Sequence, residues 1–205
     1  MINNNLTWSQ GKVSYEERCK LLHQKGLVVW FTGISGAGKS TIAIEVEKQL
    51  NLLGRLSYRL DGDNIRQNLC SDLSFSERDR NENIRRVVET AFLFKDAGVI
   101  TLVSLISPFQ KMREFARERI GKDSFLEIYI KADIETCIAR DPKGLYKKAT
   151  EGRINKFTGI SDDYEEPLNP DILINTMNTD INNSSIKIVN KIINYSTFSL
   201  PDISQ

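Results

Sequence analysis

The chain has 205 residues, 40% hydrophobic and 27% charged, with a formal net charge of +1. That length suits one domain spanning 1–205 with room for a real core, and the balanced charge excludes the broad basic field of a sequence-independent nucleic-acid binder. No apolar run reaches the length that spans a bilayer, and the opening MINNNLTWSQGK lacks the basic-then-apolar layout of a signal peptide, so neither nucleic acid nor membrane is an expected partner.

Residues 1–25 read as an arm lying on the domain, polar and irregular apart from a helical stretch near SYEERCKLLHQKG. LVVWFT (27–32) is a continuous apolar run and predicts a strand buried on both faces. After GISGAGK, the segment STIAIEVEKQLNLLG sets Ile42, Val46, Leu50 and Leu53 at helical spacing, with Gly54 as a stop. LSYRLDGD (56–63) predicts a second strand ending in acids, and SERDRNENIRRVVETAFLFKDAG (76–98) a helix, charged first and apolar later. VITLVSLIS (99–107) is a third strand stopped by Pro108; FQKMREFARERIG (109–121) is helical; FLEIYIKA (125–132) is a fourth strand and DIETCIARD (133–141) a short helix. From PKGLYKKATEGRINKFTGISDDYEEP the periodicity dissolves into charged, glycine-punctuated sequence. ILINT (172–176) predicts a last strand, INNSSIKIVNKIINYS (181–196) a last helix, and 196–205 a frayed tail. Strands alternating with helices predict an α/β fold, a parallel sheet with helices on both faces. Cys19, Cys70 and Cys137 make no CxxC and no even set; they read as small buried hydrophobes in a reducing compartment, which with the missing signal peptide predicts a cytoplasmic location.

Gly33-Ile34-Ser35-Gly36-Ala37-Gly38-Lys39-Ser40-Thr41 fits G-x-x-x-x-G-K-[ST] between a buried strand and a helix. Glycines let successive N–H groups curl inward around an anion, and the following helix aims its positive end at the same point. Lys39 supplies a full charge for the β- and γ-phosphates, and the Ser40 hydroxyl suits Mg²⁺. The loop predicts a nucleoside triphosphate and leaves the phosphate acceptor open.

Three strings bear on the acceptor. DGDNIR ends the second strand with Asp61, Asp63 and Arg66, acids fit to hold Mg²⁺ or take a proton and an arginine fit for an anion, though Asp-Gly is also ordinary turn chemistry. In SDLSFSERDRNENIRR, Phe75 stands where no core residue is needed, and Arg80, Asn83 and Arg86 recur on one helix face. A ring to stack on a base and guanidinium groups for acid oxygens suit a nucleotide-like anion; a solvated, salt-bridged face is the plainer reading. Arg140, Lys143, Lys147, Lys148 and Arg153 make the glycine-punctuated stretch a basic flap able to close over polyphosphate, or simply a charged loop.

Together WFTGISGAGKST, LDGDNIRQNLCSDLSFSERDRNENIRR, SLISP, RDPKGLYKKA and FTGISDDYEEP resemble the adenylylsulfate kinase family, from about Trp8 to Pro170. The phosphate loop is common to many NTPases; the other strings are specific to the family. The resemblance implies a P-loop kinase fold with a mobile lid at about 141–165, which phosphorylates the 3′-hydroxyl of adenosine 5′-phosphosulfate (APS) from ATP. It implies that Gly33 to Thr41, with Arg140, bind ATP; that Ser40 and Asp61 hold Mg²⁺; that Asp61 and Asp63 border the acceptor; and that Phe75 and Phe157 sandwich its adenine. Arg66, Arg80 and Asn83 would hold its phosphosulfate, Lys143, Gly144 and Leu145 would close from the lid, and backbone at Ile106 and Ser107 would touch it. The family also marks Ser107 as a phosphoserine intermediate. In-line transfer needs positioning and charge neutralisation rather than a covalent relay, and the only histidine, His23, lies in the arm, so the chemistry favours direct transfer. The chain departs from the family at Phe109-Gln110, where an Arg often follows the aromatic; Arg113 remains. By the same resemblance a homodimer is expected, in a stand-alone form functionally coupled to an ATP sulfurylase.

Two other readings stay open on the residues: a P-loop kinase for a different small acceptor, and a nucleotide-binding module that has lost catalysis. The second predicts damage at Lys39, Ser40 or Asp61, and all three are intact. The first gives no reason for the acceptor and lid strings.

Overall fold

In the computed structural model β1 (Leu27–Thr32) is buried along its whole length. Leu27, Val29 and Phe31 enter one core while Val28 and Trp30 enter another. A strand apolar on both faces needs cover on both. α2 (Lys39–Leu52) and α8 (Ile181–Ser196) supply it on one side through Ile42, Val46, Leu50, Ile188 and Ile192. α4 (Glu77–Asp96) and α5 (Gln110–Ile120) supply it on the other through Ile84, Val87, Val88, Ala91 and Met112. The structure describes residues 7, 9, 11–154, 157–160 and 162–198. Trp8, parts of the expected arm and most of the expected tail lie outside them.

With β2 (Ser57–Asp61), β3 (Ile100–Ser104), β4 (Phe125–Lys131) and β5 (Ile172–Asn175), the strands run in parallel in the order β2-β3-β1-β4-β5. From β1 the chain builds one side of the sheet, then crosses to build the other. A crevice therefore opens at the carboxyl end of β1.

The arm carries α1 (Tyr15–Leu22), started by a capping box between Ser14 and Glu17 and ended by His23 in the left-handed region at φ 50°. His23 is exposed. Cys19, Cys70 and Cys137 are all free and buried, as their reading as small hydrophobes requires. Among the described residues no helix is long and apolar enough to cross a membrane.

Four local expectations change. The second strand stops at Asp61 rather than running to 63, because the Asp61 carboxylate accepts the Asp63 N–H at 3.1 Å and starts α3 (Gly62–Gln67). The third strand stops at Ser104, and Ser107 turns the chain with φ 40°. Leu53 is 57% exposed, because α2 ends one residue before it. The aperiodic flap contains α7 (Leu145–Thr150), whose first turn is capped from outside by Asp141, accepting the N–H groups of Tyr146 and Lys147 at 3.2 and 3.1 Å. α6 (Ile134–Arg140), capped by Asp133, follows its predicted place.

Candidate active site

The phosphate loop leaves β1 through Gly33, at φ 147°, where an added Cβ would lie 2.3 Å from the Ile130 carbonyl oxygen. No other residue fits that conformation against a neighbouring strand. The loop then folds back on its own lysine: Lys39 Nζ donates to the Gly33 and Ile34 carbonyls, both at 2.8 Å. Burial, and next the charge of Lys143, push the Lys39 ammonium down from 10.5 to about 8. A desolvated cation beside a second cation is poised to gain from a polyanion. On the next residue, Ser40 Oγ donates to Asp61 Oδ2 at 2.6 Å, joining the loop to the end of β2. Two hard oxygen donors thus meet where the phosphate loop faces the acceptor side, as a Mg²⁺ held mostly by phosphate and water requires.

The flap is docked on the loop. Tyr146 is 1% exposed, donates from its hydroxyl to the Ser35 carbonyl at 2.8 Å, and meets Phe157 edge-on at 4.9 Å between ring centres. Lys143 pairs with Asp63 across the cleft mouth. Arg140 donates to Thr176 Oγ1 at 3.0 Å and to its carbonyl at 2.9 Å, and Thr176 Oγ1 donates on to the Ala37 carbonyl at 3.0 Å.

On the far wall the Arg66 guanidinium lies over the Phe75 ring at 4.4 Å, and Phe75 is 64% exposed. Arg80 donates to the Phe75 carbonyl at 2.9 Å and to Thr158 Oγ1 at 3.3 Å, and pairs with Asp162 at 2.9 Å. These contacts tie the wall to the root of the flap. Loop, wall and flap enclose a single cleft of 1110 Å³. Three buried polar atoms that lack a partner among the described residues, Asn83 Oδ1, Ser104 Oγ and Ser184 Oγ, belong to residues lining it.

The family model for adenylylsulphate kinase matches residues 25–175. The adenylyl-sulfate kinase of Clostridium acetobutylicum is 51% identical over 193 residues, 94% of either chain. The chain belongs to the adenylylsulfate kinase family. Adenylyl-sulfate kinase 3 of Arabidopsis thaliana is 54% identical over 170 residues, 83% of this chain and 82% of its own. The Mycobacterium tuberculosis APS kinase CysC, solved in complex with AMPPNP and APS, superimposes with a TM-score of 0.77 at 42% identity, covering 81% of this chain and 96% of its own. A sugar kinase from Janibacter, 19% identical with a TM-score of 0.54, shares the fold alone.

Most of the sequence-predicted site residues line the cleft together: Ser35 to Thr41, Asp61, Asp63, Arg66, Phe75, Arg80, Asn83, Ile106, Ser107, Arg140, Lys143, Leu145 and Phe157. Gly33, Ile34 and Gly144 do not line it; the first two accept from Lys39, and Gly144 starts α7 at φ 62°. Arg86, placed by helical spacing beside Arg80 and Asn83, leaves the site and makes a two-toothed pair with Asp72 at 2.6 and 2.8 Å, plus a bond to Glu82 at 2.9 Å. A face defined by every third residue drifts around the helix, and here it turns from cleft to surface within two steps. Arg113 is not a spare ligand cation either: it is 3% exposed and paired with Glu127 at 2.9 Å. Thr176, Thr179, Asp180 and Ser184 also line the cleft, with Arg140, and no motif in the sequence marks them. Their one legible signal is position, since the carboxyl end of β5 faces the crevice like the ends of β1 and β2.

Proposed function

We infer that the protein transfers the γ-phosphate of ATP to the 3′-hydroxyl of APS, giving 3′-phosphoadenosine 5′-phosphosulfate and ADP. The single observation that carries this reading is the continuity of the cleft: the phosphate loop, Asp61 and the Phe75–Arg80–Asn83 wall face one another in one enclosure, in a chain of this family. Gly33 to Thr41 with Arg140 hold ATP, and Lys39 Nζ exchanges its two loop carbonyls for phosphate oxygens. Ser40 and Asp61 would hold Mg²⁺, which when bound neutralises charge on the β- and γ-phosphates. Phe75 and Phe157 take the acceptor adenine between them, Arg66 and Arg80 its phosphosulfate. Asn83, in the lining of the same enclosure, offers its amide N–H groups to the same ligand. Lys143 and Leu145 close over it from the 141–165 lid, Gly144 supplies their turn, and Asp63 pairs with Lys143.

The 3′-oxygen bonds to the γ-phosphorus as the bond to the β–γ bridging oxygen breaks, and Asp61 receives the hydroxyl proton. Transfer is direct. Ser107 Oγ is in a residue only 2% exposed, accepts from Trp30 Nε1 at 3.0 Å and gives its proton to Thr32 Oγ1 at 3.0 Å. A hydroxyl so occupied supports a backbone role for Ser107 rather than a phosphorylated one. The same reading carries a cytoplasmic location, a homodimer, and coupling to the ATP sulfurylase reaction that makes APS.

The deciding assay mixes the protein with ATP, Mg²⁺ and APS and looks for the 3′-phosphorylated product. No product, with ADP and Mg²⁺ still binding, defeats the reading. In a melting experiment with ADP and Mg²⁺ present, APS at ~100 times its Kd adds about 2.7 kcal/mol of stability, and gluconate or shikimate adds none.

A further inference from the structure

One hydroxyl sits where the phosphate loop, the acceptor backbone and the exit of the flap meet. Thr32 is the last residue of β1, fully buried, and its backbone runs straight into Gly33. Its Oγ1 donates its only proton to the Ile106 carbonyl at 2.7 Å. It therefore meets its other neighbours as an acceptor, from Ser107 Oγ at 3.0 Å and from the Tyr164 hydroxyl at 2.9 Å. Tyr164 stacks on Tyr129 at 6.0 Å between ring centres, and burial raises its pKa, so it stays protonated and able to donate.

What this junction holds is under strain. Ser107 has φ 40°, in the left-handed region that a residue with a Cβ adopts only when its surroundings insist. The surroundings here are specific. Trp30 and Thr32 grip its side chain, and Arg113 Nη1 grips its carbonyl at 2.7 Å. Arg113 also reaches the Glu165 carbonyl at 2.8 Å, and the Glu165 N–H returns to the Pro108 carbonyl at 2.8 Å. Segments 106–108 and 164–165 are thereby fastened to each other and to β1. Ile106 and Ser107 line the cleft; Thr32 and Tyr164 do not.

We propose that Thr32 and Tyr164 are positioning residues: the hydrogen bonds from Thr32 Oγ1 to the Ile106 carbonyl and from Ser107 Oγ to Thr32, with Tyr164 fixing the threonine hydroxyl, set the Ile106–Ser107 backbone at a fixed offset from the phosphate loop, and so align the acceptor with the γ-phosphorus. The proposal rests on the functional reading above. It explains why a threonine, rather than the valine its neighbours favour, ends a strand that is otherwise apolar at every position. One side-chain oxygen is bonded to three groups from two distant segments, while the main chain of the same residue fixes the start of the loop. Reacting atoms held within a fraction of an ångström are worth large rate factors, and a misplacement of about 1 Å from a site away from the chemistry costs up to about a hundredfold.

The test compares Thr32→Val, Thr32→Ser and Tyr164→Phe with the wild-type protein, measuring kcat, KM for APS, Kd for ADP and Tm. Thr32→Val keeps shape and removes the junction; KM for APS rises and kcat falls, each by about tenfold, while Kd for ADP stays within about twofold. Thr32→Ser restores both kinetic constants even where it lowers Tm, since only the oxygen matters. Tyr164→Phe shifts KM for APS in the same direction by a smaller factor. A Thr32→Val protein with a lowered Tm and an unchanged KM for APS makes the junction merely structural and overturns the proposal. So does an equal loss in Thr32→Ser, or a loss of ADP affinity in step with APS. Should Thr32→Val fail to fold, Tyr164→Phe decides alone, and an unaltered KM for APS in that variant overturns the proposal. A wild-type protein that makes no product defeats the functional reading and this inference together; normal wild-type turnover with unmoved variants defeats this inference only.

Discussion

Between Gly33 and Thr41 the chain closes on its own lysine, which bonds to carbonyls five and six residues back, and distant segments attach to that turn at Ser35, Ala37 and Ser40. Across the cleft the short-range contacts of Arg66 and Arg80 with Phe75 are joined to long-range ones. Arg80 reaches Thr158, 78 positions away, and Tyr146 reaches Ser35, 111 positions away. The phosphate side is a continuous turn whose geometry follows from three glycines and a helix start, so its outline is written in nine consecutive residues. The acceptor side exists only when a helix, a flap and a strand end have found one another. The difference teaches where each side is vulnerable. Single substitutions of the loop's polar side chains remove chemistry while leaving the fold, and single substitutions in the wall and flap loosen an assembly.

The largest effects belong to the loop. Lys39→Ala lowers kcat by at least about a hundredfold, since it deletes preorganised charge at the developing phosphate oxygens; steady-state turnover checks it, and wild-type activity in that variant would falsify the loop assignment. Asp61→Asn lowers kcat by about 10²–10⁴ with a much smaller change in KM for APS, as loss of a proton acceptor does. Equal losses in kcat and affinity make Asp61 a binding group instead.

The seam between the two regions comes next. Tyr146→Ala empties a fully buried site and costs about 3–5 kcal/mol in denaturant unfolding. It also raises KM for ATP and APS together, because the one ring touches Ser35 and Phe157. A rise for only one substrate means the flap serves only one side. On the wall, Phe75→Ala weakens APS by about 1–3 kcal/mol, the size of one lost stacking contact, and leaves ADP binding unmoved. Unchanged APS affinity makes Phe75 a mere perch for Arg66.

The smallest effect is one of acidity. The Arg85 and Arg86 guanidinium groups hold the Glu82 carboxyl down at about 2 from its ordinary 4.5, and Arg86 likewise holds Asp72 below its usual range. A carboxyl whose folded pKa is depressed contributes stability above its unfolded value and loses it as pH falls through the folded one. The contribution is therefore complete above about 4.5 and gone near 2, and these exposed pairs make it small. Amide exchange between pH 5 and pH 3 checks it. The turn at 68–74, tied to α4 through Arg86 and Asp72, loosens before the phosphate loop does, and the reverse order makes the comparison wrong.

Local pattern carried much of this protein. The run LVVWFT, the loop after it, the helix phases at Ile42, Val46 and Leu50, and the strand–helix alternation need only neighbours within a few residues to be read, and they determine the parallel sheet and the triphosphate site. The family strings added most of the acceptor residues. Other features are invisible to short-range pattern. Arg86 looked equivalent to Arg80 until the helix turned it toward Asp72. Glu127 sits inside an apolar strand because Arg113 and Arg117 come to meet it. α7 forms in a charged stretch because Asp141 caps it and Tyr146 finds a buried seat. Thr32 read as one more strand residue until the fold brought Ile106, Ser107 and Tyr164 to its hydroxyl. Backbone turns and periodic burial are set by sequence neighbours and so are written along the chain. The partner of a charge or a hydroxyl is chosen by which distant segments pack beside it, and packing is a property of the whole molecule.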